Sequence, residues 1–426
     1  MKVYHLPPLP SPPVIFVALL TLSLAGCGGG STASAPSPTP PPTPTSNIAV
    51  TITACPTVVQ RGVTIVNGTP VYTCTASVSN SSNTAVTWTS SSTSSLKIDL
   101  STGVLTPLLR GSVIVTATSA ADTTKSASVT IKVVDRLFTS QAEPLPWLPG
   151  LNGMLLFYLE TDGSDSAELL TTRECWDPAV SPDHKHVACG TFVIPTDSVQ
   201  FQSTELIVVT TDGTAAGTSA STPLANVQTF SYAWSPDGKK IVFVGARKDP
   251  ANSANTLVGV FTINADLSGM TQLTSESFAG NTIRSPGPAS FSPDGKSIIY
   301  NVTADNNIRV MNVDGTNPMV LPVVGDGPVF TRDGSKILFV NFTWDSAQSR
   351  YISQIESMNP DGNNVQAIVN PGFSVQDFYY DIAISPDGLQ IAYDDSNVGP
   401  GKIYIANVDG SGATAIPGGG SQGIGW

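Results

Sequence analysis

Gly419-Gly420-Ser421-Gln422-Gly423 has the Gly-x-Ser-x-Gly spacing of an acyl-transfer nucleophile. That chemistry needs the Ser on a sharp strand-to-helix turn and a His further along the chain. Here the pentapeptide lies in a Gly-rich run and no His follows, so it reads as a loop. Two of the three His share the stretch His184-Lys185-His186, which stands where a sister turn has Gly238-Lys239-Lys240. It is read as a surface variant of that turn and not as a metal site. Carboxylates are frequent enough for the acid/base pair of a glycan-cleaving enzyme, but no spacing singles out a pair. No catalytic residue, metal or cofactor is expected.

Composition narrows the partners. Charged residues make up 12% of the 426-residue chain, against about 25% in ordinary soluble proteins. Gly (37) and Pro (34) are plentiful and 40% of residues are apolar, which suits a turn-rich β protein with an uncharged polar surface. Asp and Glu number 32 against 20 Lys and Arg, with no basic run. The cationic footprint that nucleic acid requires is missing. The length predicts about two or three folding units.

The elements that would position any site are repeated. The turn Ser235-Pro236-Asp237-Gly238 recurs as Ser292-Pro293-Asp294-Gly295 and Ser385-Pro386-Asp387-Gly388, with departures at Ser181-Pro182-Asp183-His184 and Thr331-Arg332-Asp333-Gly334. Pro fixes φ, Asp bonds its own backbone, and Gly avoids the strain of a Cβ, so these are turn formers first. A second kind of turn alternates with them: Asp162-Gly163, Asp212-Gly213, Asp266 to Gly269, Asp314-Gly315, Asp361-Gly362 and Asp409-Gly410. Successive Asp are 50, 54, 48, 47 and 48 residues apart, the period of four-stranded propeller blades. Residues 135–426 resemble the WD-like repeats of TolB-type six-bladed propellers, with Trp234-Ser235-Pro236-Asp237-Gly238-Lys239-Lys240-Ile241-Val242-Phe243 as the clearest match.

There are five turns of the first kind and six of the second, so one blade lacks its first strand. Ile424-Gly425-Trp426 matches the residues ahead of such a turn, and Asp135-Arg136-Leu137-Phe138 those after it. One blade is therefore expected to combine the C-terminal strand with three N-terminal ones, removing the open sheet edges. In such a ring both short turns share one face. The long, dissimilar connections 141–152, 193–202, 247–255, 275–288, 342–350 and 370–380 share the other. They carry Trp147, Arg247, Arg284, Trp344, Phe373, Phe378, Tyr379 and Tyr380, with Trp176 nearby. These residue types anchor interfaces and stack on sugars, and they form the candidate binding face.

Ahead of the ring, residues 1–26 read as a cleaved export signal: Lys2, an apolar run too short to span a bilayer, then small residues. Leu24-Ala25-Gly26-Cys27 resembles a bacterial lipobox, which implies lipidation of Cys27, and Gly28 favours the outer membrane. Residues 27–46 are a Ser/Pro/Thr-rich tether. Residues 47–134 show short alternating β runs about Trp88, the pattern of a small β-sandwich. Its segments resemble the group 2 bacterial immunoglobulin-like domain of intimins and invasins, which implies a surface stalk or adhesion module. The whole chain is thus expected to be all-β.

In an exported protein Cys55 and Cys74, on neighbouring predicted strands, are expected to pair. Cys175 and Cys189 flank the Ser181 turn. If Val180 faces Lys185, Cys175 faces Gly190, and one residue of bulge brings the two sulfurs together. The leading functional expectation is a non-enzymatic, lipid-anchored envelope protein presenting a propeller to an envelope protein. The alternatives are a polysaccharide-binding adhesin and a carboxylate-dependent glycan hydrolase or lyase. Membrane attachment is expected through the N-terminal lipid only. Detergent partitioning of the wild type, lost in Cys27→Ser, is the expected outcome; equal partitioning of the two would refute the anchor.

Overall fold

The computed structural model describes residues 47–66, 69–145, 152–170, 174–192, 204–211, 227–279, 288–301, 307–347, 349–369, 374–375, 381–395, 402–416 and 422–426. The signal and tether including Cys27, the turn Asp212-Gly213, Ser421, and the face residues Trp147, Arg284, Phe373, Phe378, Tyr379 and Tyr380 lie outside them. All regular structure in the described residues is β-strand.

Residues 47–134 form two main sheets round one core, with the short pairs Ile65–Val66 with Thr69–Pro70 and Leu96–Ile98 with Leu105–Pro107 beside them. The first main sheet pairs Ala49–Ala54 with Thr75–Ser79, and the second runs Val58–Gln60, Ser126–Val134, Gly111–Ser119, Val86–Ser90. In Gly111–Ser119 the residues Val113, Val115 and Ala117 are buried and alternate with more exposed neighbours, which places one face on the core. Trp88 fills that core with Leu96, Leu105 and Ile131. Cys55 and Cys74 are disulfide-bonded at its edge.

The remaining residues build six sheets, a six-bladed propeller. From the axis outwards, blade 1 is Gln422–Gly425, Arg136–Pro144, Asn152–Glu160 and Ser166–Glu168, so the C-terminal strand closes the ring. Blade 2 has three described strands, Trp176–Val180, His186–Phe192 and Thr204–Thr210. Blades 3 to 6 begin with Gln228–Trp234, Ser290–Phe291, Asp326–Phe330 and Ile382–Ile384. From blade 6 through blade 1 and on to blade 5, neighbouring innermost strands touch. Six separate apolar cores lie between adjacent blades, one for each interface of a closed ring.

The turns explain the repeat. In all five the Ser or Thr hydroxyl donates to the Asp two residues on at 2.6 Å. The same oxygen accepts from the backbone N–H five residues on at 2.9–3.0 Å. The Gly takes φ near +70° at four turns, and His184 takes φ 54° at the fifth. The outer-turn Asp162, Asp266, Asp314, Asp361 and Asp409 likewise accept from the N–H two residues on.

One register differs from expectation. Val180 pairs with Val187, not Lys185, because the bonds of Ser181 keep residues 181–186 within the turn. The bulge comes between Trp176 and Ala179. Cys175 and Cys189 are disulfide-bonded with Cα atoms 5.3 Å apart, in the core between blades 1 and 2.

Ile424 and Trp426 are buried between blades 1 and 6. Deleting residues 422–426 removes both and bares the edge of Arg136–Pro144. The expected loss is more than about 5 kcal/mol, far beyond terminal fraying. Thermal melting of truncated and full-length chains checks it, and coincident curves would refute the shared blade.

Candidate functional site

In blade 1 no covalent turn joins Gln422–Gly425 to Arg136–Pro144, since the two strands come from opposite ends of the ring. Residues 60–63 of the first domain fill that place. They form a turn of their own, with Val63 N–H donating to Gln60 O. Gly62, at φ +79°, lies so close to blade 6 that a Cβ would sit 2.9 Å from Asp387 N. Round the rest of the ring the turn glycines meet the preceding turn in the same way: Gly238 meets Pro182, Gly295 meets Pro236, Gly334 meets Pro293 and Gly388 meets Arg332.

Polar groups fasten the substitute turn. Arg61 Nε donates to Asp135 at 2.8 Å, Nη1 pairs with Asp387, and Nη2 donates to Gln390 at 2.9 Å. Trp426 Nε1 donates to Asp135 at 3.3 Å, so one carboxylate holds both the ring closure and the first domain. Nearby, Arg110 pairs with Asp162 and Glu160, and Arg136 Nε donates to Glu160 at 3.2 Å. Glu160 is fully buried and Asp135 nearly so. Removing one member of such a network strands a desolvated charge, at about 3–5 kcal/mol. The first domain is thus fixed on the turn face, and the long-loop face lies at the opposite end of the channel.

Three of the nine expected face residues are described, on separate blades. Trp344, near the end of Ile337–Asp345 in blade 5, is 53% exposed. Arg247 is half-buried and donates through Nη2 to Gln272 of its own blade at 3.1 Å. Trp176 is half-buried and opens the innermost strand of blade 2 opposite Gly190.

The channel itself carries acid that the sequence reading missed. Asp177, Ser231, Gly327 and Asp381 each stand four residues before the hydroxyl residue of their blade's turn, at the loop end of the innermost strand. Asp177, Ser231 and Gly327 have φ of 49°, 45° and 57°, and Gly423 in the closing strand has 89°. Register shifts mark bulges in the same strands. A bulge with a left-handed residue re-aims the side chains beside it, and for Asp and Ser that backbone costs energy.

Asp177 accepts from Ser231 N–H at 3.3 Å. Asp326 accepts from Asn301 Nδ2 at 2.9 Å and Gly327 N–H at 2.8 Å, and Asp381 accepts from Ile424 N–H. Burial raises the pKa of all three. Asp381, facing the charges of Asp177 and Asp326 as well, is pushed up to about 7. None has an ion-pair partner among the described residues, so the loop end of the channel is suited to a cationic group. Among the described residues no group of three or more His, Cys, Asp or Glu is placed to hold a metal ion.

His184 departs from the surface position expected for it. It is 7% exposed and lines a cavity together with Gly62 and Val63 of the first domain. Burial, reinforced by the charge of Arg332, pushes its pKa down to about 3. It is neutral at physiological pH.

For an acid whose pKa is raised on folding, the penalty is absent below the unfolded value, grows between the two values, and is complete above the folded one. Asp381→Asn is therefore expected to gain on the order of 2 kcal/mol at pH 8 and nothing near pH 4. Melting curves across this range check it; a pH-independent difference would contradict the buried-acid assignment.

No family model matches the chain. An uncharacterized protein of Agrobacterium fabrum is 25% identical over 254 residues, covering 56% of this chain and 77% of that protein. Among solved structures, TolB from Acinetobacter baumannii is similar at 15% identity and a TM-score of 0.49, covering 78% of this chain and 81% of that one. A putative TolB from Agrobacterium tumefaciens is similar at 18% identity and a TM-score of 0.43, covering 61% and 86%.

Proposed function

We propose that the protein is a non-enzymatic, lipid-anchored component of the bacterial envelope whose propeller binds another protein through its loop face. Residues 47–134 serve as an immunoglobulin-like stalk. The observation that carries this reading is the docking of that stalk over the turn face through Arg61, Asp135 and Asp387, which leaves the loop face as the recognition surface. Long connections on a rigid ring suit binding. The acidic channel end favours a partner that inserts a Lys or Arg. The buried imidazole of His184 lies at the other end of the channel, away from the three carboxylates, which weighs against acid/base catalysis there.

A second reading, glycan binding by ring stacking, is favoured by the exposed indole of Trp344. Cross-linked envelopes and a glycan array separate the two. On the first reading, full-length protein captures a defined envelope protein, and Asp177→Asn combined with Asp381→Asn weakens capture by at least about tenfold, the loss of one charge-assisted contact. Glycan binding that is abolished by Trp344→Ala, with no protein captured, would replace the first reading with the second.

A further inference from the structure

A chamber of about 430 Å³ lies on the ring axis, between residues 62–66 of the first domain and the innermost strands. Both departures from the repeated turn meet there. Arg332 stands where the four other turns have Pro, and His184 where the four others have Gly. They belong to blades 5 and 2, opposite each other across the axis, and both line the chamber with Tyr232, Phe291, Phe330 and Trp426.

The guanidinium of Arg332 is poorly satisfied. Nε and Nη2 reach the carbonyls of Ser385 and Ile384 only at 3.4 Å. No carboxylate lies within ion-pair distance among the described residues. The nearby acids are already engaged: Asp387 by Arg61, Ser385 Oγ and Leu389 N–H, and Asp183 by Ser181 Oγ and Lys185 N–H. The side chain of Arg332 is exposed and borders the chamber, so its guanidinium is open to a ligand there. Opposite it, the buried Nδ1 of His184 has no hydrogen-bond partner among the described residues. A buried imidazole nitrogen without a partner costs stability unless something fills the gap.

We propose that this chamber binds a small organic carboxylate. Its carboxylate accepts from the Arg332 guanidinium and from His184 in the Nδ1–H tautomer, and its apolar body packs against Phe291, Phe330 and Tyr232. The volume falls within the range of small-ligand sites, and an aromatic lining with a few convergent polar groups is their usual chemistry. A second cavity of about 570 Å³, between Val66, Thr69, Pro70 and Val71 and the turns of blades 2 and 3, shares Val66 and Trp234 with the chamber.

The repeat supplies the test. Arg332→Pro and His184→Gly each restore the residue found in the sister turns, and Arg332→Gln keeps length without charge should the Pro variant fail to fold. Full-length protein is titrated with benzoate, and with benzamide as the uncharged counterpart, by saturation-transfer NMR and tryptophan fluorescence. Benzoate is expected to bind the wild type and benzamide not to. Binding is expected to fall at least about tenfold in Arg332→Pro and Arg332→Gln, and less in His184→Gly, with the melting temperature of the unliganded protein kept. Equal binding of benzoate and benzamide, unchanged benzoate binding in the Arg332 variants, or no benzoate signal for the wild type would each overturn the site. A large drop in melting temperature in both Arg332 variants would instead make Arg332 a structural bridge to blade 6 and would also overturn it.

Discussion

The carboxylate of Asp135 joins three parts of the molecule. It accepts from Trp426 at the end of the closing strand and from Arg61 in the first domain, and its own residue links that domain to blade 1. A ring of blades has no stable open form, because each interface core is shared and the two end blades would otherwise bare theirs. Closing blade 1 with a strand from the far end solves the edge problem but leaves the blade without its first turn. Residues 60–63 fill the gap, so the ring and the first domain are structurally interdependent.

The two ends of the axis differ in regularity. At the turn end, hydroxyl–carboxylate bonds repeat from blade to blade with almost the same lengths. At the loop end the innermost strands bulge, place Asp177 and Ser231 in left-handed backbone, and gather carboxylates that repel one another. Features that cost stability at one end, on a scaffold regular at the other, are what a binding site on a rigid frame would show.

Much of the architecture was legible because turn chemistry is local. Ser-Pro-Asp-Gly and Asp-Gly have physical meaning within four residues, so the blade count, the blade period and the shared blade followed from spacing. Cys175 and Cys189 show the limit: their register was misplaced because the Ser181 hydroxyl captures His186 N–H and lengthens the turn, which no spacing reveals. The acidic channel was missed for a different reason. Asp177 and Asp381 sit at one repeat position, but the other blades put Ser, Pro or Gly there, and their common environment exists only once the ring has closed. The docked turn of residues 60–63 left a weaker trace still, since Arg61-Gly62 looks like any surface turn until Asp387, 326 residues away, stands beside Arg61.

The closing strand also sets the order in which the molecule can be completed. The bond from Trp426 to Asp135 spans 291 residues, so the strand that completes the first blade is synthesised after all the strands of blades 2 to 6. Until then Arg136–Pro144 is an unpaired edge and the core between blades 1 and 6 is half built, in a nascent chain whose other blades are largely local hairpins. Blades 2 to 6 can form as they emerge, whereas blade 1 and the seat of the first domain must wait. A chain whose ring is still open is then both sticky and unable to present a finished channel, and docking of the first domain becomes a record that the ring has closed.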